Sequence, residues 1–321
     1  MEYLNLFAIS YSQSKLGTER WVFENNSISA LKEKIKSQGI ALSKWDVQIN
    51  YGIKTGLNEA FFIDEATKNK LIYEDPKSID VIKPLVRGRD IESYYTQIDN
   101  QYLLFIPWHF PLHKDKTIEG ASDKAEKSFI ENYPAIYNHL KQFKSKLESR
   151  NKAETGIRYE WYALQRCANT YYEEIEKEKI VYPNMTKYWP FAYDIKGAFI
   201  NDKIFIITGE KIKYLLGILN SKLFKYTYKD HFPELLGGTR ELRKIFMETV
   251  QIKEANNDIY AKIVKIVEEI IAMKQSHFIS ESVNLEKEID QLVYQLYGLT
   301  QEEIEIVESS FSSLQKRKPE R

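Results

Sequence analysis

Lys203-Ile204-Phe205-Ile206-Ile207-Thr208 is a run of β-branched and aromatic residues closed by Gly209. That composition is read as a strand. Directly after it, Lys211 to Tyr228 places Leu215, Leu216, Ile218, Leu219 and Leu223 at helical spacing. One strand pattern and one helix pattern so close together point to a mixed α+β chain. Working backwards, Lys179 to Tyr182, Phe191 to Tyr193 and Phe199 to Ile200 are also read as strands, as are Trp45 to Ile49, Ala60 to Ile63 and Tyr102 to Ile106. Asp75-Pro76-Lys77-Ser78 reads as a turn or helix start, and Ile79, Val81 and Ile82 as the beginning of a short helix that Pro84 cuts. Between the two strand-rich regions, Phe129, Tyr133, Ile136, Leu140, Phe143 and Leu147 recur at helical intervals, with Pro134 predicting two helices or a kink. Lys141, Lys144, Lys146 and Arg150 fall on the polar side of that pattern.

At the ends, Ser27 to Lys36 predicts a short helix stopping at Gly39. Ile259, Ile263, Ile266, Ile270 and Met273 form one stripe, and Leu285, Ile289, Leu292, Val293 and Leu296 another, which predicts an antiparallel hairpin. Gly298 closes the second helix and Thr300-Gln301-Glu302-Glu303 opens a third. The expected division is a leading segment with a short helix over 1–45, a mixed domain over 46–252, a helical region over 253–310 and a disordered tail over 311–321.

The chain has 321 residues with 46 basic and 46 acidic side chains. Neutrality argues against non-specific coating of nucleic acid but leaves room for a local basic face. Residues 211 to 244 carry eight cations (Lys211, Lys213, Lys222, Lys225, Lys229, Arg240, Arg243, Lys244) against three acids (Asp230, Glu234, Glu241). The single cysteine, Cys167, excludes an internal disulfide, reads as a small buried thiol and suggests a cytoplasmic protein. No apolar run is long enough to span a bilayer, and Met1-Glu2-Tyr3 has no signal-peptide character.

Catalytic patterns are missing from the sequence. No Asn-Pro-Pro-Tyr-like or Asp-Pro-Pro-Tyr-like methyltransferase tetrapeptide occurs, and no Gly-rich strand-to-helix fingerprint. Gly52-Ile53-Lys54-Thr55-Gly56 lacks the order of a phosphate loop. Glu176-Lys177-Glu178-Lys179 holds the acid-x-Lys fragment of a Mg²⁺ nuclease, but reads better as a solvated charged face. His109 and His113 flank Pro111, which argues against a shared metal on a helix.

Ile49-Asn-Tyr-Gly-Ile-Lys-Thr-Gly-Leu-Asn-Glu-Ala-Phe-Phe62 resembles the opening of the TaqI-like C-terminal specificity domain. So do Glu74 to Ser78 with Ile82-Lys83-Pro84, Arg87-Gly88-Arg89-Asp90-Ile91, Tyr159 to Arg166, Lys179 to Pro183, Leu215 to Leu223, Gly237-Gly238-Thr239-Arg240 and Ile289 to Leu299. Together they cover roughly residues 20 to 308. Thr249-Val250-Gln251-Ile252 departs from the pattern, where a proline is expected. The resemblance implies a target recognition domain for double-stranded DNA, working with an adenine methyltransferase and an endonuclease. S-adenosylmethionine and Mg²⁺ would serve those parts, with no cofactor in this chain. Because the methyltransferase core of such proteins lies N-terminal to this region, the expectation is a fragment, a separate subunit or a piece made for expression, not an enzyme by itself. The competing expectation is a protein-interaction or scaffolding module.

Candidate DNA contacts follow from side-chain chemistry. Lys54 and Thr55 in a turn suit a phosphate, with a plain strand-joining turn as the alternative, and Asn58 follows close behind. Arg87 and Arg89 flank Gly88 and suit either phosphate or Asp90. Gln165 and Arg166 are base-reading types beside Trp161 and Tyr162, where packing support competes. Lys222, Arg240 and Arg243 come from the basic stretch, with Arg240 placed by Gly237-Gly238 either to enter a groove or to pair with Glu234 or Glu241.

Overall fold

The structure is a computed structural model that describes residues 26–97, 100–166, 172–195 and 197–315. Cys167, the first 25 residues and residues 316–321 of the expected tail lie outside these. The chain forms two compact units. One comprises Gln48–Asn184 and Pro190–Ile212; the other joins the described residues 26–47, Met185–Trp189 and 213–315. The mixed domain expected over 46–252 is therefore divided between them.

The first unit is the mixed α+β one. Its strands make two four-stranded sheets. In one, Val47–Tyr51, Ile204–Gly209, Lys179–Pro183 and Ala192–Asp194 lie side by side in that order. Lys179–Pro183 is buried throughout, as expected of a central strand. In the other, the order is Phe62–Asp64, Gln101–Leu104, Ile82–Val86, Phe199–Ile200. The helices Asp123–Asn132, Pro134–Lys141 and Lys144–Ser149 supply Phe129, Ile136, Leu140 and Leu147 to one core shared with Leu85, Leu104 and Ile206. Pro134 starts a helix, where its missing N–H costs nothing. Phe129 stacks at an angle on Tyr162 and edge-on to Tyr137 and Phe110, with centroids 4.7, 5.6 and 5.3 Å away. Many of the aromatics thus fill the core.

Three local expectations change. Ala60 and Phe61 belong to the helical turn Asn58–Phe61, and only Phe62–Asp64 is extended. The Thr55 hydroxyl sets that turn by accepting from Leu57 N at 3.2 Å and donating to Asn58 Oδ1 at 2.7 Å. Ile82 to Val86 is a strand, preceded by the short helix Pro76–Asp80. Pro84 is tolerated there because it pairs with Tyr102 on one side, while the parallel pairing on the other begins at Leu85. Lys211 to Tyr228 is two helices, Ile212–Asn220 and Lys222–Tyr228, because Ser221 caps the second by accepting from Phe224 N at 3.2 Å.

The second unit is mainly helical. Asn257–Gln275 and Ile279–Tyr297 pack on each other as the predicted hairpin, and Gly298 ends the second in a left-handed conformation. The hairpin packs on its own unit: a Cβ on Gly217 would stand 2.9 Å from Ile263 Cγ2 and 3.1 Å from Val267 Cγ2. Two small strand pairs close the unit. Ile40–Ala41 runs antiparallel to Gln251–Ile252, so the segment without the expected proline contributes to a sheet. Met185–Thr186 runs antiparallel to Arg240–Glu241.

Candidate nucleic-acid interface

In the first unit, Lys54 and Arg166 oppose each other in an antiparallel bridge. Arg166 N donates to Lys54 O at 2.9 Å and Lys54 N to Arg166 O at 3.3 Å. Residues paired this way project their side chains to the same face, with Cα atoms roughly 5.5 Å apart. Neither cation meets a carboxylate among the described residues. Arg166 and Asn58 are exposed, Lys54 is half-buried, and Thr55 and Gln165 are buried. Thr55 is occupied by its bonds to Leu57 and Asn58. Gln165 packs under the turn, where a Cβ on Gly56 would stand 2.7 Å from its Oε1. Thr55 and Gln165 therefore support the turn, whereas Lys54, Asn58 and Arg166 reach the surface.

Arg150, placed on a solvated face by helical periodicity, is instead half-buried and turned inward. Its guanidinium donates to the carbonyls of Thr55, Trp161 and Ala163, the Trp161 contact at 2.9 Å. Its Nε donates to Leu147 O at 3.1 Å. Burial lowers its pKa to about 10. The helix Lys144–Ser149 ends just before it, and Phe61 and Tyr159 lie against its cation at 5.5 and 5.8 Å. Nothing in the apolar periodicity marks this residue, since it takes loss of helix at Arg150 for the side chain to turn back.

Arg87 and Arg89 separate. Arg87 forms a two-pronged pair with Asp90, at 3.0 Å from Nε and 3.2 Å from a terminal nitrogen. Arg89 is 69% exposed and stands 3.8 Å from Asp90. The acid-x-Lys fragment is not a solvated face throughout: Lys179 is buried and pairs with Asp194 at 2.5 Å. His109 donates its backbone N–H to Glu160 at 2.8 Å and places Nδ1 3.0 Å from the same carboxylate. No group of three or more His, Cys, Asp or Glu side chains able to hold a metal occurs among the described residues.

The basic stretch 211–244 lies almost wholly in the second unit, and most of its cations are spoken for. Arg240 is 4% exposed and pairs with Glu234 at 2.6 Å and Asp230 at 3.7 Å. Of the two arrangements expected for it, groove entry or pairing with Glu234 or Glu241, the fold has the pair with Glu234, on a strand paired with Thr186. Lys222 pairs with Glu308 at 2.7 Å and Asp290 at 3.6 Å. Arg243 remains exposed but meets Glu241 at 2.6 Å, and Lys213 meets Glu268 at 2.6 Å. A formal surplus of charge in the sequence becomes a set of fasteners in the fold. Beside them, Leu236 is 99% exposed, with Leu235, Met185, Tyr188 and Ile245 also at the surface.

The sequence model described as the TaqI-like C-terminal specificity domain matches residues 83–252, more than half of the chain. The chain belongs to this family. The match ends at the strand Gln251–Ile252 and leaves out the 49–62 motif and the helical tail. Curated relatives extend further. This chain is 28% identical over 255 residues to the type II methyltransferase M.MjaIV of Methanocaldococcus jannaschii, covering 77% of each chain. It is 19% identical to the type II methyltransferase M.BstVI of Geobacillus stearothermophilus over 94% of its own length and 48% of the relative's. In fold it is similar to the type IIL restriction-modification enzyme MmeI, solved in complex with DNA, with a TM-score of 0.52 and 16% identity. That likeness covers 86% of this chain and 36% of the MmeI chain. No helix among the described residues is long and apolar enough to cross a membrane.

Proposed function

We propose that this chain recognises double-stranded DNA as the specificity part of a type II restriction-modification system, directing an adenine methyltransferase and an endonuclease carried elsewhere. The observation that carries the reading is the Lys54–Arg166 bridge: two cations side by side, reaching the surface and uncommitted to carboxylates among the described residues. Like charges directly opposed across a strand pair repel, so the arrangement favours a bound anion. Exposed Arg89 adds a third positive group in the same unit, and Asn58 offers an amide of the type that reads adenine. The relatives named as type II methyltransferases support the class of system. S-adenosylmethionine and Mg²⁺ are assigned to the other parts, and this chain binds DNA in the cytoplasm without methylating or cutting it. Lys222 and Arg240 hold the second unit together, Arg243 is exposed and paired locally with Glu241, and Thr55, Gln165 and Arg87 position the contacts.

Titrating the purified chain with duplex DNA at several salt concentrations tests this. Binding is expected to weaken linearly on a log–log plot, with a slope of about −0.9 per phosphate neutralised. Absence of duplex binding at low salt overturns it. The second reading, a protein-interaction module, is favoured by the exposed Leu236 surface beside already paired cations. Under that reading Leu236→Asp abolishes assembly with the catalytic part and no DNA binding is seen.

A further inference from the structure

Guanidinium groups withdrawn from water normally face a carboxylate, because an uncompensated charge in a low-dielectric setting is costly. Arg150 does not. Its donors are taken up by backbone carbonyls, which solvate the N–H groups but bring no net charge. Among the described residues no acid compensates it. One of those carbonyls is Thr55 O, inside the very turn that presents Lys54. Three cations, Lys54, Arg150 and Arg166, are thus held at one turn by backbone bonding, and the inward-turned Arg150 is the least screened by solvent. Gly56 lies in this turn with φ +77°, where a side chain would collide with Arg150 Cδ at 2.8 Å. The missing Cβ therefore lets the turn pack closely on Arg150 and Gln165 beneath it, while Gly56 itself stays exposed.

We infer that the Lys54–Thr55–Gly56 turn is a seat for one DNA backbone phosphate, gripped by Lys54 and Arg166 and drawn in by the half-buried charge of Arg150, which acts as a positioning residue. The inference rests on the DNA-recognition reading and deepens it. A phosphate fits better than a base edge because the seat offers charge in excess of directed hydrogen-bonding geometry. Arg150 touches no ligand, so its removal lowers affinity without changing the number of phosphates neutralised. Lys54 and Arg166, which touch it, govern that number.

The test compares Lys54→Gln, Arg166→Gln, Arg150→Met and Arg150→Lys by duplex-binding anisotropy across salt, with circular dichroism confirming the fold. Loss of Lys54 and Arg166 together is expected to reduce the salt slope by about one unit. Arg150→Met is expected to lose about tenfold in affinity with an unchanged slope, and Arg150→Lys to recover most of it. If the Arg150 variants do not fold, stabilisation against heat by inorganic phosphate decides: the wild type gains, Lys54→Gln and Arg166→Gln do not. A folded Arg150→Met that binds like the wild type overturns the seat, as does a slope unmoved by Lys54 and Arg166. Failure of the wild type to bind any duplex overturns the DNA-recognition reading instead. The phosphate measurement then still judges the seat, and no stabilisation of the wild type refutes it.

Discussion

Replacing Arg240 by methionine separates a structural clamp from a DNA contact. The guanidinium is buried and donates to Phe232 O at 3.3 Å, besides its pairs with Glu234 and Asp230. Removing one partner of a fully buried pair costs about 3–5 kcal/mol, because the other charge is stranded. Here the partners are partly hydrated, with side-chain exposures of 44% for Glu234 and 30% for Asp230. Water returns to them once Arg240 is gone, which brings the expected loss down to about 1–3 kcal/mol. Asp230 also keeps its 3.0 Å pair with Lys32. Methionine fills part of the vacated volume; Phe232, whose carbonyl loses its donor, meets Trp189 edge-on at 4.9 Å. That tryptophan lies in the same unit and reports its unfolding. Urea unfolding followed by fluorescence measures the loss, and a cycle with Glu234→Gln isolates the pair. Duplex binding of the folded variant is expected to keep the wild-type salt slope. A variant with unchanged stability whose affinity falls and whose salt slope shrinks by about one unit would falsify the clamp and return Arg240 to the DNA surface.

Three other outcomes follow from single contacts. Lys179→Met strands Asp194, 2% exposed, and is expected to destabilise the first unit by about 3–5 kcal/mol in chemical unfolding; a loss under about 1 kcal/mol means the pair is not a fastener. Gly52→Ala places a Cβ 2.2 Å from Asn201 O and 2.5 Å from Ile200 O, so the strand must move, with an expected loss above about 2 kcal/mol and a fall in soluble yield. Burial raises Asp290 to about 6 against an ordinary 3.8. The folded state therefore takes up its proton first, and this group adds stability as pH falls through 6, by at most about 3 kcal/mol at pH 4 relative to pH 7. The stability of the wild type relative to Asp290→Asn should rise in that direction, and a difference independent of pH contradicts the assignment.

Fold class and family are written into the order of the residues, because both rest on local patterns. Period-2 and period-3.6 spacing registers which face of a segment is apolar, so Ile204–Gly209 and the hairpin of Asn257–Gln275 with Ile279–Tyr297 were legible in the residues themselves. Cap chemistry is legible at Gly298 for the same reason, whereas the Ser221 cap is masked by the strongly apolar run around it. Which charges are available is settled by tertiary packing instead. Arg240 and Lys222 looked like contacts because charge counting along a chain ignores partners distant in sequence; Glu308 lies 86 positions from Lys222. Arg150 looked solvated because periodicity extends a helix that in fact stops at Ser149. Division into units was likewise hidden, since Met185–Thr186 joins its unit through pairing with Arg240–Glu241, a contact between segments distant in the chain. Burial and counter-charge are properties of a three-dimensional neighbourhood: of the candidate contacts the sequence offers, that neighbourhood pairs Lys222, Arg240 and Arg243 with carboxylates and brings Lys54 and Arg166 side by side on one face.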